Sequence, residues 1–313
     1  MVKFGNRGKG IACIIASAFG FALMALFVRL CDDYGGEITC FQKSFFRNVL
    51  AFVIALAVFC RGRRGARAGA EGVGALGFVS PSCPDSPGCK ATVALILRAV
   101  FGTVGIFANF YALGHIPIAE GQTLNKTAPF FTVLFASLFL KERAGWQSLG
   151  PLLLAFAGVL LIAKPGFAGE AAFPLAMGLL GGMAAGAAYA ALRALGRMAA
   201  GLPSAFVILF FSAFSCLASV PFLLHRPDPM TGAQVAILFG AGAGAALGQF
   251  GVTLAYRYAA PKDIAVFDYA SVLFAAAFGL ALFGQVSDLA SVAGFALILL
   301  AALRMRRGPA PRQ

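Results

Sequence analysis

The sequence predicts an all-α integral membrane protein with ten transmembrane helices arranged as two inverted five-helix repeats. Three observations lead to this prediction: the hydrophobic composition, the length of the apolar segments, and the distribution of Lys and Arg. The 313-residue chain is 60% hydrophobic, and only 12% of its residues are charged. A bilayer core about 30 Å thick requires roughly 20 apolar residues per helical crossing. Helices are favoured there because lipid offers no hydrogen bonds to the backbone.

Ten apolar segments of about this length follow one another along the chain. Charged residues, Gly and Pro separate them, for example at 32–36 and 164–166, and such clusters typically end helices. We predict the spans at 10–30, 37–60, 92–113, 117–140, 146–163, 173–193, 204–224, 233–256, 262–284 and 288–304.

Lys and Arg collect on one side of the predicted bundle. With the N-terminus in the cytoplasm, 18 of the 25 basic residues lie at cytoplasmic ends and in cytoplasmic loops, whereas only Arg29, Lys164 and Arg226 lie at outer ends. Cytoplasmic enrichment of Lys and Arg is the usual orientation signal. We therefore expect a protein of the cytoplasmic (inner) membrane with both termini and the 61–90 loop in the cytoplasm. The net charge of +13 indicates this orientation, and we do not expect a nucleic-acid partner.

The spans divide into two similar halves, which we predict to be repeats at 1–168 and 169–313. Segment 20–26 has a counterpart at 186–192, and segment 128–142 can be laid on 271–285. Because each half has an odd number of spans, the second half must be inverted in the membrane. Inverted repeats are typical of secondary transporters, which bind their substrate between the repeats near the bilayer midplane.

Several short motifs carry a family resemblance, and most of them lie in the first half. They are Arg98, 110–113 (FYAL), 115–120 (HIPIAE), 128–131 (APFF), 140–143 (LKER) and the segment 150–162. On these residues the chain resembles the EamA-type branch of the drug/metabolite transporter superfamily. The resemblance implies ten spans in two inverted repeats and alternating access around a central cavity. Val272 stands where a counterpart of Pro129 is expected, and Gln285 where a counterpart of Glu142 is expected, so the two halves need not play symmetric roles.

Four basic residues fall inside the predicted spans, and three of them are candidates for substrate binding. Ionisable groups inside a membrane are costly and usually functional. At a rise of 1.5 Å per residue, Arg47 lies about 15 Å deep and Lys126 about 14 Å deep. Arg98 lies nearer the cytoplasm and fits the family pattern. The alternatives are a structural ion pair or a capping contact for Arg47 and Lys126, and contact with lipid headgroups for Arg98.

Span four has the richest polar face. Gln122, Asn125, Lys126 and Pro129 are spaced i, i+3, i+4 and i+7, which places them on one side of a helix. Pro129 lacks the N–H that would bond to the Asn125 carbonyl, so it is a candidate hinge for gating, or simply a tolerated proline. Glu120, nearer the outer mouth, is a second candidate for coupling or gating.

Spans nine and three supply the other candidates. Asp268 is expected to pair with Lys126, Arg47 or Arg98, or to carry a coupling proton, and Tyr269 lies beside it in the same span. Asn109 and Tyr111 of span three are expected to line the cavity.

We therefore predict a secondary active transporter of a small polar or amphipathic metabolite. The buried charges are net positive, which favours a substrate with an anionic or zwitterionic part. The candidate energy sources are the proton gradient, with protons as the coupling ion, or exchange. No cofactor or metal is expected, and the chain is expected to be a monomer or a homodimer. The alternatives are an intramembrane enzyme or a channel. The sequence lacks HExxH and GxSxG motifs and has only two histidines, so we do not expect an enzyme.

Overall fold

Ten helices of at least 12 residues lie within the part of the chain that the structure describes. The computed structural model describes residues 4–36, 38–66, 87–115, 124–142, 145–163, 172–199, 202–225, 229–283 and 289–307. The helices are α1 (Phe4–Asp33), α2 (Cys40–Ala66), α3 (Pro87–His115), α4 (Ala128–Phe139), α5 (Trp146–Ala163), α6 (Ala172–Met198), α7 (Ser204–His225), α8 (Gly232–Tyr258), α9 (Ala270–Phe283) and α10 (Leu289–Arg307). The predicted loop at 61–90 lies largely outside the described residues.

The helices have the length and composition of membrane spans. Within the described ranges, seven segments are long and apolar enough to cross a bilayer, and α4, α5 and α10 are shorter apolar helices. None of the described residues forms a strand. The prediction of an all-α membrane protein with ten spans is confirmed.

Helix packing follows the symmetry expected of two inverted repeats. Helix α1 packs on α8, and α3 packs on α6, so each repeat contributes its first helix to the other repeat's third. Likewise α4 packs on α6 and α9 on α1, while α2 pairs with α7 and α5 with α10. If each helix is exchanged for its equivalent in the other repeat (α1 for α6, α2 for α7, and so on), the same set of packed pairs results. The two halves therefore interlock along the whole bundle.

Glycines allow these helices to approach closely. A Cβ on Gly20 of α1 would lie 2.6 Å from the backbone N of Gly248 and 2.8 Å from the carbonyl O of Gly244 on α8. A Cβ on Gly186 of α6 would lie 2.5 Å from the Cβ of Phe131 on α4. These separations are shorter than carbon side chains tolerate, so the glycines set the distance between helices, as small residues do in membrane bundles.

The start of α1 and the end of α10 lie at the same end of the bundle, which we call the termini-bearing end. Arg7 of α1 donates to the carbonyl of Met305 in α10. At the opposite end, Thr231 caps α8 by accepting from the backbone N of Gln234, and its hydroxyl donates to the carbonyl of Tyr34 (3.3 Å). An even number of spans requires this arrangement, and the cytoplasmic location of the termini stays a prediction.

Spans four and nine are both interrupted, which corrects the prediction of a continuous helix over 117–140. Leu124 is helical, residues 126–127 form a turn, and α4 begins at Ala128 with Pro129 in its first turn. Proline suits this position because first-turn N–H groups have no partner within the helix. In span nine, a helical turn (Pro261–Ile264) and a 3₁₀ turn (Ala265–Tyr269) precede α9.

Candidate functional site

The interruptions of spans four and nine face each other and bring together two opposite charges. Lys126 Nζ lies 3.7 Å from Asp268 Oδ2, and each side chain is 14% exposed. Lys126 also donates to the Ser271 hydroxyl. Tyr269 donates from its hydroxyl to the Lys126 carbonyl (3.0 Å), and the Ser271 hydroxyl donates to the Asp268 carbonyl (2.7 Å). The two repeats are therefore joined at the interruptions of spans four and nine by an ion pair and hydrogen bonds.

Asp268 thus selects Lys126 from the three partners that the sequence left open. Asn125, next to Lys126, is partly buried. Gln122 and Glu120 lie outside the described residues, so the proposed polar face of span four is seen only from Asn125 onward. Because residues 126–127 form a turn, this face is not one continuous helical stripe.

Arg98 lies inside the bundle, and the alternative of contact with lipid headgroups is wrong. Arg98 is only 3% exposed. It lies about 16 Å along α3, which begins at Pro87. Arg98 Nη2 donates to Oε1 of Gln249 in α8 (2.7 Å). Its guanidinium carbon lies 4.1 Å from the ring centroid of Phe211 in α7, a cation–π contact.

Arg47 of α2 is buried beside this group. It is 5% exposed, and it lies within electrostatic reach of both Arg98 and Tyr189. The Nε atoms of Arg47 and Arg98 are buried and have no hydrogen-bond acceptor in the described part of the chain. No ion pair among the described residues includes either arginine.

Tyr189 of α6 lies between the two groups of charges. The centre of its ring is 6.0 Å from the guanidinium carbon of Arg98 and 5.6 Å from the ring centre of Tyr256. It also lies within electrostatic reach of Asp268. Sequence reasoning missed Tyr189 and Gln249. Both are polar side chains in otherwise small, apolar stretches of α6 and α8, which is the signal that marks them.

The two candidates from span three differ in their surroundings. Asn109 is 8% exposed, packs on the backbone of Gly181, and has a buried Oδ1 without a hydrogen-bond partner in the described structure. Tyr111 stacks on His115 (ring centroids 4.1 Å apart) and packs edge-on against Phe173. Tyr111 thus belongs to an aromatic cluster where α3 ends and α6 begins, away from the termini-bearing end.

A second ion-paired group lies at the termini-bearing end. Lys141 adopts a left-handed conformation with φ of 55°, which turns the chain after α4 and directs Glu142 toward α6. Glu142 Oε1 accepts from Arg193 Nε at 2.9 Å and lies 3.5 Å from Arg197 Nη1. This group connects the end of α4 to the end of α6.

Comparisons with known proteins agree with this architecture. The family model described as the EamA-like transporter family matches residues 8–164. The pseudopaline exporter CntI of Pseudomonas aeruginosa is 30% identical over 68% of this chain and 74% of the exporter. An uncharacterized transporter of Helicobacter pylori is 27% identical over 94% of this chain and 93% of that protein. A solved crystal structure superposes with a TM-score of 0.68 at 18% identity, covering 92% of this chain and 95% of that chain.

The described residues form a helical bundle with buried charges, and the relatives of the chain are named as transporters. Together these observations identify a membrane transporter. The chain belongs to the EamA-like transporter family, within the drug/metabolite transporter superfamily.

Proposed function

We propose that this protein is a secondary active transporter that moves a small polar or amphipathic metabolite across the cytoplasmic membrane by alternating access. The observation that carries the proposal is the Lys126–Asp268 pair at the interrupted turns of spans four and nine. Interrupted helices at the interface of inverted repeats form the substrate and ion sites of many secondary transporters. Lys126 belongs to the first proposed repeat and Asp268 to the second, so formation of the ion pair depends on the relative position of the repeats.

The ion pair suggests how transport is coupled to protons. In this scheme, protonation of Asp268 neutralises its carboxylate and frees Lys126 from its counter-ion. Loss of this attraction weakens the contact between the turns, and the repeats then move past one another. Pro129 and Glu120 are the other proposed gating groups, because one begins α4 and the other is expected near the outer mouth.

The proposed substrate site lies between this pair and the buried arginines. Its proposed residues are the candidates from both repeats: Arg47, Arg98, Asn109, Tyr111, Gln122, Asn125, Lys126, Asp268 and Tyr269. Of these, Tyr111 lies in the aromatic cluster at the end of α3, and Gln122 lies outside the described residues. The pseudopaline exporter supports outward movement of a small molecule, since its name states that it exports one. We propose that the termini are cytoplasmic, that the repeats are 1–168 and 169–313, and that the transporter works as a monomer or a homodimer.

The test compares metabolites in cells and in spent medium by mass spectrometry. Cells carry the wild type, the double variant Lys126→Gln/Asp268→Asn, or no transporter. The double variant is chosen because removing only one partner of a buried ion pair destabilises a protein by about 3–5 kcal/mol, which would confuse loss of folding with loss of transport.

We expect a metabolite to change sides only with the wild type, at equal membrane abundance of the two proteins. Full transport by the double variant would remove the ion pair from the mechanism. The absence of any difference among the three strains would contradict the transport proposal itself.

A further inference from the structure

The buried charges of the bundle fall into two classes. Lys126 has a counter-ion in Asp268, so the positive and negative charges of this pair compensate each other. Arg47 and Arg98 are more deeply buried, at 5% and 3% exposure, and neither belongs to an ion pair of the described residues. Two positive charges within electrostatic reach of each other in a low-dielectric interior are costly without compensation.

Arg47 and Arg98 also have hydrogen-bond donors that lack acceptors among the described residues. The Nε–H groups of both residues are buried without an acceptor among the residues that the structure describes. An unsatisfied buried donor loses its hydration without regaining a hydrogen bond. Packing alone therefore gives no reason to keep two such donors inside the bundle.

The surroundings fix one guanidinium in place. Gln249 accepts from one edge of Arg98, while Phe211 covers a face of the same group. Gly102 lies one turn further along α3, where a Cβ would collide with Arg98 Nη1 and lie 2.6 Å from the Phe211 ring. Gly102 thus leaves the space in which Arg98 lies flat against Phe211. A guanidinium held in this way is preorganised to bind an oxyanion.

We propose that Arg47 and Arg98 form an oxyanion subsite that binds a carboxylate or phosphate group of the substrate. The anion supplies the missing counter-charge and accepts from the open Nε–H groups. This inference rests on the proposed transport function and narrows its substrate to anionic or zwitterionic molecules. It assigns recognition of the anion to the arginines, and it leaves the Lys126–Asp268 pair for coupling.

Binding to the purified protein in lipid nanodiscs tests the subsite without requiring transport. The probes are succinate, inorganic phosphate and, as a cationic control, 1,4-diaminobutane. The readout is the thermal unfolding midpoint at increasing probe concentration, which yields an apparent Kd. The variants are Arg47→Met, Arg98→Gln and the control Arg257→Gln, which alters an arginine that donates to Ser204 outside the site.

We expect at least one anion, and not the diamine, to stabilise the wild type and Arg257→Gln. The two arms separate carboxylate from phosphate recognition. Loss of hydrogen bonds to a charged group should weaken the apparent Kd by about 10- to 100-fold in Arg47→Met and Arg98→Gln. Equal stabilisation of all four proteins, or none of the wild type, would overturn the subsite.

The ligand-free proteins provide a second criterion. If Arg47 is retained for binding, Arg47→Met removes a desolvated charge and should unfold at the same temperature as the wild type or higher. A clearly lower midpoint would show that the arginine stabilises the fold, and would contradict the proposal.

The two proposals fail separately. Anion binding without any metabolite changing sides would keep the subsite and reject transport. A transported metabolite with no anion binding would keep transport and reject the subsite.

Discussion

Burial distinguishes the two arginines that approach Glu142. Arg193 is 16% exposed and donates at 2.9 Å, whereas Arg197 is 51% exposed and lies 3.5 Å away. Charge-assisted hydrogen bonds in sheltered sites contribute about 1.5–3 kcal/mol, but exposed ion pairs contribute about 0.2–1 kcal/mol. Double-mutant cycles of unfolding free energy, with Glu142→Gln and each arginine changed to Gln, should therefore give a larger coupling for Arg193. Equal couplings would contradict this ranking.

At the same scale, sequence reasoning found charged residues but not their partners. Counting residues from the ends of the spans placed Arg47, Lys126 and Asp268 inside the membrane. Which of them meet depends on how spans four and nine lie across the bundle, and no local pattern encodes that. The depth of Arg98 was underestimated because α3 begins at Pro87, five residues before the predicted start at residue 92.

At the scale of elements, glycines in helices fall into tight and open positions. A Cβ on Gly186 would lie 2.5 Å from the Cβ of Phe131 and 2.9 Å from the backbone N of Thr132, whereas a Cβ on Gly8 would meet nothing within 4 Å. Gly186→Ala should push α6 away from the start of α4, lowering both the unfolding midpoint and transport.

The matched control is Gly8→Ala in α1. Alanine is favoured over glycine inside a helix by about 1 kcal/mol, so this change should leave transport intact and stability equal or slightly higher. Identical behaviour of the two variants would show that close contact between α6 and α4 does not limit function.

The sequence also predicted the existence of the helices more accurately than the positions at which they are interrupted. The i, i+4 spacing of Gly244 and Gly248 is typical of close helix packing, and a Cβ on either glycine would lie less than 2.8 Å from an atom of α1. The turn at 126–127 was missed because the polar residues of 122–127 were assigned to one face of a continuous helix. Pro129 was interpreted as a hinge or a tolerated proline within that helix, although a proline equally suits the first turn of one.

At the scale of the whole molecule, the interlocked repeats predict how the chain tolerates division. The pairs α1–α8 and α3–α6 both cross the proposed boundary at residue 168. Fragments 1–168 and 169–313, each expressed alone, should be degraded, whereas co-expression should restore membrane abundance and part of the transport. Stable accumulation of one fragment alone, detected by immunoblotting, would show that a repeat folds independently.

Charge and length patterns predicted the fold at this scale because the bilayer constrains both. Span length follows from membrane thickness, and loop charge follows from orientation. Substrate choice has no comparable constraint, since it depends on the few side chains that meet at the centre of the bundle.

The packing of α1 on α8 also imposes a delay during biosynthesis, because the two helices are synthesised far apart in time. Ser17 of α1 donates to the carbonyl of Gly248, a residue 231 positions later in the chain. At about 5–20 residues per second, α1 emerges from the ribosome roughly 10–50 s before its partner. During that interval the glycine-lined side of α1 has no helix to hold it. The insertion machinery must therefore shelter the nascent first half until α8 arrives, and slow translation of the second half would lengthen its exposure to membrane proteases.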